Sequence, residues 1–211
     1  MIVLSLDTCL GACSAAIIDG DLVLGALSEP MVRGHQERLA SMIRDLASDA
    51  KIEFAAIDRI GVTIGPGSFT GLRVGLAFAK GLGVALDRPC IGVGVLQALA
   101  ATACVQGRIA SVIDAGRANI YLQTFDSGAP ESAPGVIPLA SAADQLARGG
   151  EASELTIVGP AAGAVAALVR PSRWIDVAAP SPEAVARLAS RSEVAPAAPL
   201  YLRPPDAVAR R

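Results

Sequence analysis

Ile2-Val3-Leu4-Ser5-Leu6-Asp7-Thr8 reads as a buried strand that ends on a carboxylate and a hydroxyl. The run is apolar without helical spacing, which fits a strand covered on both faces. The chain then turns back on itself. Residues 14–18 form a second strand, Asp19-Gly20-Asp21 supplies tight-turn chemistry, and residues 22–27 form a third. The same opening recurs further on. Residues 109–113 run into Asp114, Gly116 follows as Gly11 follows Asp7, and residues 119–125 read as the returning strand. Downstream, residues 60–64 lead into Gly65-Pro66-Gly67 and a helix. Residues 155–158 lead into Gly159-Pro160-Ala161-Ala162-Gly163 and an apolar helix. Two landmarks repeated in the same order predict a duplicated α/β unit, the first over 1–105 and a shortened second over 106–211.

Helical spacing lies between the strands. Leu39, Met42, Ile43, Leu46, Ala47 and Ala50 recur at three- and four-residue steps, which predicts an amphipathic helix over 35–50. A second helix is expected over 69–86, a strand over 90–93 and a third helix over 95–105. Residues 126–138, rich in Pro, Gly and Ser, read as an exposed loop. The stretch from Val194, with Pro196, Pro199, Pro204 and Pro205, reads as extended chain.

Composition narrows the function classes. Hydrophobic residues make up 52% of the chain but aromatics only 3%, so the apolar content sits largely in small residues that let backbones approach closely. A membrane-spanning helix needs about 20 apolar residues. The best run, residues 74–86, contains Lys80 and is followed by Asp87-Arg88-Pro89, so no membrane association is expected. Net charge is −2 with no Lys/Arg run, which argues against this chain gripping nucleic acid alone. The four cysteines show neither CxxC nor zinc spacing, and the first residues enter a strand. Reduced, mostly buried thiols in a cytoplasmic protein are the expectation. His35 is the only histidine, which forbids a two-His metal site; no metal ligand or catalytic residue is assigned.

Three features carry the functional reading. Gly65-Pro66-Gly67-Ser68-Phe69-Thr70-Gly71, between a strand and a helix, reads either as a phosphate-contacting loop or as a tight structural turn. Asp7-Thr8 reads either as a strand-end site near a phosphate or as a turn cap. Asp7, Thr8, Gly65 and Gly67 are therefore the candidate cofactor-proximal residues. The third feature is the line Gly71, Gly75, Ala79, Gly83 along the second helix. Gly inside a helix costs roughly 0.8–1 kcal/mol relative to Ala. Such a line implies a closely approaching backbone, either the chain's own or a partner's.

Several segments together resemble one family. They are Ile2 to Thr8 with Cys13-Ser14, the helix start Arg33-Gly34-His35-Gln36-Glu37-Arg38-Leu39, and IGPGSFTGLRVG over residues 64–75. Ala79-Lys80-Gly81-Leu82, Ile91-Gly92-Val93, Asp114-Ala115 and Pro199-Leu200-Tyr201-Leu202-Arg203 also match. The paired strand–Asp–turn–strand units look like the duplicated ribonuclease-H-like fold of actin and the sugar kinases. Within it the chain resembles the bacterial TsaB (YeaZ) family of tRNA threonylcarbamoyladenosine synthesis, densely over residues 1–100 and sparsely afterwards. It departs from the family pattern at Cys9, at Gly34 and at Gly116, where Arg117 stands one place late.

The resemblance implies a non-catalytic subunit. It would pair with a TsaD-type transferase that modifies adenosine 37 of tRNAs reading ANN codons, with a TsaE-type ATPase completing the assembly. Without its partner it would form a homodimer. ATP would be used by the assembly, no cofactor would be held by this chain alone, and tRNA would be met only through the complex. The helices over 35–50 and 69–86 would form the interface, with His35, Leu39, Met42, Gly71, Arg73, Gly75, Ala79 and Gly83 as its residues. Where the transferase carries a metal-binding HxxxH, this chain has Val95-Leu96-Gln97-Ala98-Leu99. The competing reading is an actin-like ATPase or small-molecule kinase using Asp7 and Asp114. A peptidase is disfavoured by the single histidine.

Overall fold

The computed structural model describes residues 1–149, 154–171, 173–193 and 197–203, and its opening strand β1 (Ile2–Asp7) lies at the centre of a five-stranded sheet. β2 (Ala12–Asp19) and β3 (Leu22–Pro30) extend it antiparallel on one side. β4 (Arg59–Thr63) and β5 (Cys90–Val93) extend it parallel on the other, giving the order β3-β2-β1-β4-β5. α1 (His35–Asp49) and α2 (Phe69–Leu86) connect the later strands and cover one face. β-branched and Leu side chains on β1 and β4 supply that face, which is why the strands read as continuous apolar runs.

The second sheet repeats the pattern of strand directions. β6 (Arg108–Gly116) pairs antiparallel with β7 (Asn119–Asp126) and parallel with β10 (Leu155–Val158), which pairs parallel with β11 (Arg173–Ile175). The expected loop over 126–138 instead contains two short strands, β8 (Ala129–Pro130) and β9 (Gly135–Pro138), which both pair with β7. Backbone pairing along the free edge of β7 overrides the Pro/Gly/Ser composition. The sequence reading also passed over α4 (Ala142–Ala147) and β11; α5 (Ala162–Val169) is the apolar helix it expected. Of the Pro-rich tail, residues 197–203 are non-helical; 194–196 and 204–211 lie outside the described residues.

The last helix of each half crosses to the other sheet. α3 (Val95–Thr102) leaves β5 and packs on β6 and β7. Its Val95, Leu96 and Leu99 are buried with Ile109, Ile113, Phe125 and Val158. α6 (Pro182–Arg191), from the far end of the chain, packs on β1, β2 and β4, burying Val185, Ala186 and Ala189 against Val3, Ile18, Ile91 and Val93. A helix assigned by sequence order to residues 106–211 therefore completes the sheet of residues 1–105. Gly61 makes room for it, since a Cβ there would stand 2.6 Å from the Ala189 Cβ. Arg59 Nη1 caps its end, donating to the carbonyls of Ala189 (2.9 Å) and Ser192 (2.8 Å). The sequence reading passed over this helix as well, although Ser181 as N-cap, Pro182 in the first turn and Glu183 mark its start.

Candidate functional site

The end of β1 is closed, not open. Asp7 Oδ1 accepts hydrogen bonds from the Cys9 amide (3.0 Å) and the Thr63 hydroxyl (2.6 Å), and neither Asp7 nor Thr8 is accessible to solvent. Burial pushes the Asp7 carboxyl above the ordinary carboxylate range, partly offset by the bonds from Thr63 and Cys9. The glycine loop lies directly on this turn. Ser68 N donates to Cys9 O (2.7 Å), and Thr8 Oγ1 donates to Gly71 O (2.7 Å). A Cβ at Gly67 would overlap the Cys9 carbonyl oxygen, and one at Gly71 would overlap that of Thr8. These glycines thus face carbonyl oxygens, which repel an anion. Of the two readings left open for Asp7, Thr8, Gly65 and Gly67, the structure carries the tight turn. The Asp7 carboxylate, which the kinase reading would use, is inaccessible to solvent.

The line along α2 is corrected in the same way. Gly71, Gly75, Ala79 and Gly83 are all buried against the chain itself. A Cβ at Gly75 would lie 2.6 Å from Thr8 Oγ1, and one at Gly83 would lie 2.9 Å from the Arg88 carbonyl oxygen. The approaching backbone is the chain's own sheet and loops. His35, Leu39 and Met42 are buried as well, on the core-facing side of α1. Of the eight residues expected at a partner surface, only Arg73 is exposed. Periodicity locates the stripe that a helix buries, and these residues form that stripe.

The outward face of α2 carries a second line of mostly small and apolar residues, edged by the exposed Arg73 and Lys80. Thr70, Ala77, Gly81, Val84 and Ala85 are exposed, Val74 and Phe78 are half-buried, and Val84 is 85% exposed. Positions 70, 74, 77, 81 and 84 follow one another at helical spacing, on the side opposite the buried glycines. Gly81 has nothing within 4 Å of an added Cβ, so its helix cost has no return inside this chain. α2 is the one described helix long and apolar enough to cross a membrane, although only 33% of it is buried. The helix spans Phe69–Leu86 as the sequence predicts, longer than the apolar run 74–86 weighed for a membrane span, and its inner face packs along β4.

The line continues into a cleft of about 400 Å³ between the starts of α1 and α2, where Val32 (88% exposed), Arg33, Gln36 and Thr70 stand around the buried His35. α1 is fixed there by a bidentate pair, Arg38 to Glu29 on β3, at 2.8 and 2.6 Å. The carboxyl-terminal motif completes the other flank. Leu200 N donates to Ile64 O (2.7 Å), Arg203 donates to the Ala115 carbonyl, and the Tyr201 ring lies 5.6 Å from Phe69. Arg73 stacks on Phe69 at 3.7 Å and donates to the Tyr201 hydroxyl at 3.2 Å. No sequence signal assigned this aromatic–guanidinium cluster to one surface.

In the second half, Asp114 is exposed, and its Oδ1 accepts from Gly116 N at 2.7 Å. Among the described residues, no group of three or more His, Cys, Asp or Glu side chains is placed to share a metal ion. All four cysteines are free. Cys9 and Cys13 are buried, Cys90 is half-buried and Cys104 is exposed; burial pushes the Cys13 thiol up to about 11.

Known proteins resemble this chain along most of its length. A family model described as TsaD, tRNA N6-adenosine threonylcarbamoyltransferase, matches residues 25–193. An uncharacterized protein of Mycobacterium tuberculosis is 36% identical, covering 97% of this chain and 93% of its own. The tRNA threonylcarbamoyladenosine biosynthesis protein TsaB of Escherichia coli is 33% identical over 124 residues, which is 57% of this chain and 53% of its own. YeaZ from Pseudomonas aeruginosa superposes with a TM-score of 0.82 at 30% identity, covering 95% of this chain and 99% of that one. The activator of 2-hydroxyisocaproyl-CoA dehydratase from Clostridium difficile shares the fold alone, with a TM-score of 0.54 at 10% identity over 90% of this chain and 94% of its own. With the family model spanning most of the chain and a YeaZ structure superposing on nearly all of it, the chain belongs to the TsaB (YeaZ) family of tRNA threonylcarbamoyladenosine biosynthesis proteins.

Proposed function

We propose that this chain is a non-catalytic scaffold subunit that binds a TsaD-type transferase through the outward face of α2. The transferase would then modify adenosine 37 of tRNAs reading ANN codons. The observation that carries the reading is the exposed apolar line 70/74/77/81/84, with an unpacked glycine at its centre. A soluble surface helix normally turns charge outward; here the two exposed cations, Arg73 and Lys80, stand along one edge of a line of Val, Ala and Gly that suits close packing by another helix. Lack of chemistry is supported by the position matching the transferase's metal-binding HxxxH, where Val95, Leu96, Ala98 and Leu99 are buried apolar groups. In this reading the chain is a tandem of two ribonuclease-H-like units, 1–105 and 106–211. The second is shortened, its α5 spanning 8 residues where α2 spans 18, and α6 is lent back to the first. A TsaE-type ATPase joins the assembly, tRNA is met only through it, ATP is consumed there, and the chain works in the cytoplasm. When the transferase is absent, the same α2 face pairs two copies.

Reconstitution tests this directly. Transferase, ATPase and carbamoyl-adenylate synthase are assayed on tRNA with wild-type chain, with Val84→Glu, with Gly81→Leu and with no added chain. Both substitutions lie on the exposed face, so Val84→Glu should melt close to wild type and Gly81→Leu at or above it, while co-purification with the transferase and modification are lost. Equal modification without the chain overturns the scaffold role; unchanged complex formation by both variants overturns the α2 interface.

A further inference from the structure

The only charged side chains of α2 are Arg73 and Lys80, and both are cations on a chain whose formal net charge is −2. Both are exposed, and they stand two turns apart on the same edge of the line 70/74/77/81/84. Arg73 lies on the Phe69 ring at 3.7 Å and donates through Nε to the Tyr201 hydroxyl at 3.2 Å. These contacts fix the guanidinium without giving it an anion, and neither of its Nη groups has an acceptor among the described residues. Among the described residues neither cation forms an ion pair. The next acid along the helix, its C-cap Asp87, lies about 10 Å of helical rise beyond Lys80. That is more than the Debye length of about 8 Å at physiological salt. At the cleft beside the line, Arg33 and Glu37 bring one charge of each sign.

We infer that the transferase meets α2 with an acidic edge, one carboxylate on the guanidinium of Arg73 and another on Lys80, and that this charge makes α2 choose the transferase over a second copy of this chain. The inference rests on the α2 interface proposed above and adds the chemistry of the partner to it. Small-residue packing cannot make that choice, because a second copy offers the same Val, Ala and Gly line. Charge can. A second copy brings Arg73 and Lys80 again and no acid of α2, so a self-pair gathers like charges where the hetero-pair joins opposite ones. The stacked guanidinium of Arg73 is already ordered, and its free Nη groups offer a carboxylate a bidentate contact.

The test measures two dissociation constants of the full chain at about 50 and about 500 mM NaCl. One is with the TsaD-type transferase of the same genome, by calorimetry; the other is with itself, by sedimentation equilibrium. The higher salt should weaken the hetero-pair about tenfold or more and should not weaken the self-pair. Lys80→Glu and Arg73→Glu should each weaken the hetero-pair about fivefold or more at low salt and less than about twofold at high salt. Gly81→Leu, which changes shape and no charge, should abolish it at both. Lys80 stands outside the Phe69–Tyr201 pair, so its variant decides the matter if Arg73→Glu disturbs that pair. A hetero-pair lost in Gly81→Leu but indifferent to salt and to Lys80→Glu overturns the inference and leaves the α2 interface standing. Parallel salt dependence of the two pairings overturns the choice by charge. Full hetero-pairing by Gly81→Leu removes the interface and the inference together.

Discussion

Asp7 and Asp114 occupy matching places, Asp7 at the end of β1 and Asp114 two residues before the end of β6, yet one is sealed and the other open. Both make the same local turn, accepting a hydrogen bond from the amide two residues on, at 3.0 Å from Cys9 and 2.7 Å from Gly116. The backbone also agrees further along, where Gly65 and Gly159 both take positive φ before a proline, at +103° and +125°. What differs is the cover. Over Asp7 the start of α2 lies on the Thr8 and Cys9 carbonyls, admitted by Gly67 and Gly71. Among the described residues no such lid covers Asp114, and its carboxylate is exposed. One local motif thus becomes a core element or a surface element depending on the helix packed above it. A strand-end aspartate in this fold is not by itself a site.

The sharpest way to break this comparison is to add one methyl group in each half. Gly71→Ala places a Cβ on the Thr8 carbonyl oxygen and should cost about 3 kcal/mol. Gly163→Ala, early in α5, meets only the Asp176 carboxylate at 3.6 Å and should stay within about 0.5 kcal/mol of wild type. Urea denaturation of the two variants decides it; similar losses would mean that both junctions are equally covered.

A smaller effect is expected from the aspartates. Asp7→Ala strands a buried amide and a buried hydroxyl and should cost about 2 kcal/mol, against about 0.5 kcal/mol for Asp114→Ala at the surface. The pH dependence sharpens the contrast. Because the folded carboxyl of Asp7 is raised above its unfolded value, the native state holds this proton more tightly. Its stabilising share is therefore full below about pH 4 and lost as pH rises through the folded pKa. Melting curves from pH 4 upward should fall less in Asp7→Asn than in wild type; parallel curves would show that Asp7 does not titrate differently on folding.

The smallest effect compares the two faces of α2. Gly81→Ala, on the outward face with open space around the added Cβ, should stabilise the isolated chain by about 0.5–1 kcal/mol. Thermal melts that instead show a loss would mean that Gly81 is constrained within the chain.

Much of the first half was legible before any coordinates. The strand ending at Asp7, the turn at Asp19-Gly20-Asp21 and the helices at 35 and 69 each follow from local periodicity or a breaker, and the structure places them within a few residues. The second half was less legible because its elements are short. β8, β9 and β11 have 2, 4 and 3 residues and gain strand character only by pairing with a neighbour.

The candidate surface divides in the same way. Sequence alone determined that α2 carries a line of small residues needing a close neighbour, and that the chain's motifs resemble the TsaB family. It could not determine which of two apolar faces looks inward, since a helix built from Gly, Ala, Val and Leu has little polar contrast around its circumference. Contact with Thr8, Val62 and Arg88 chose the glycine face for the core and left Val84 and Gly81 outside. The tertiary structure likewise decided that α6 serves the first sheet and α3 the second, because a helix packs where a complementary apolar face remains uncovered, however far along the chain that face is encoded.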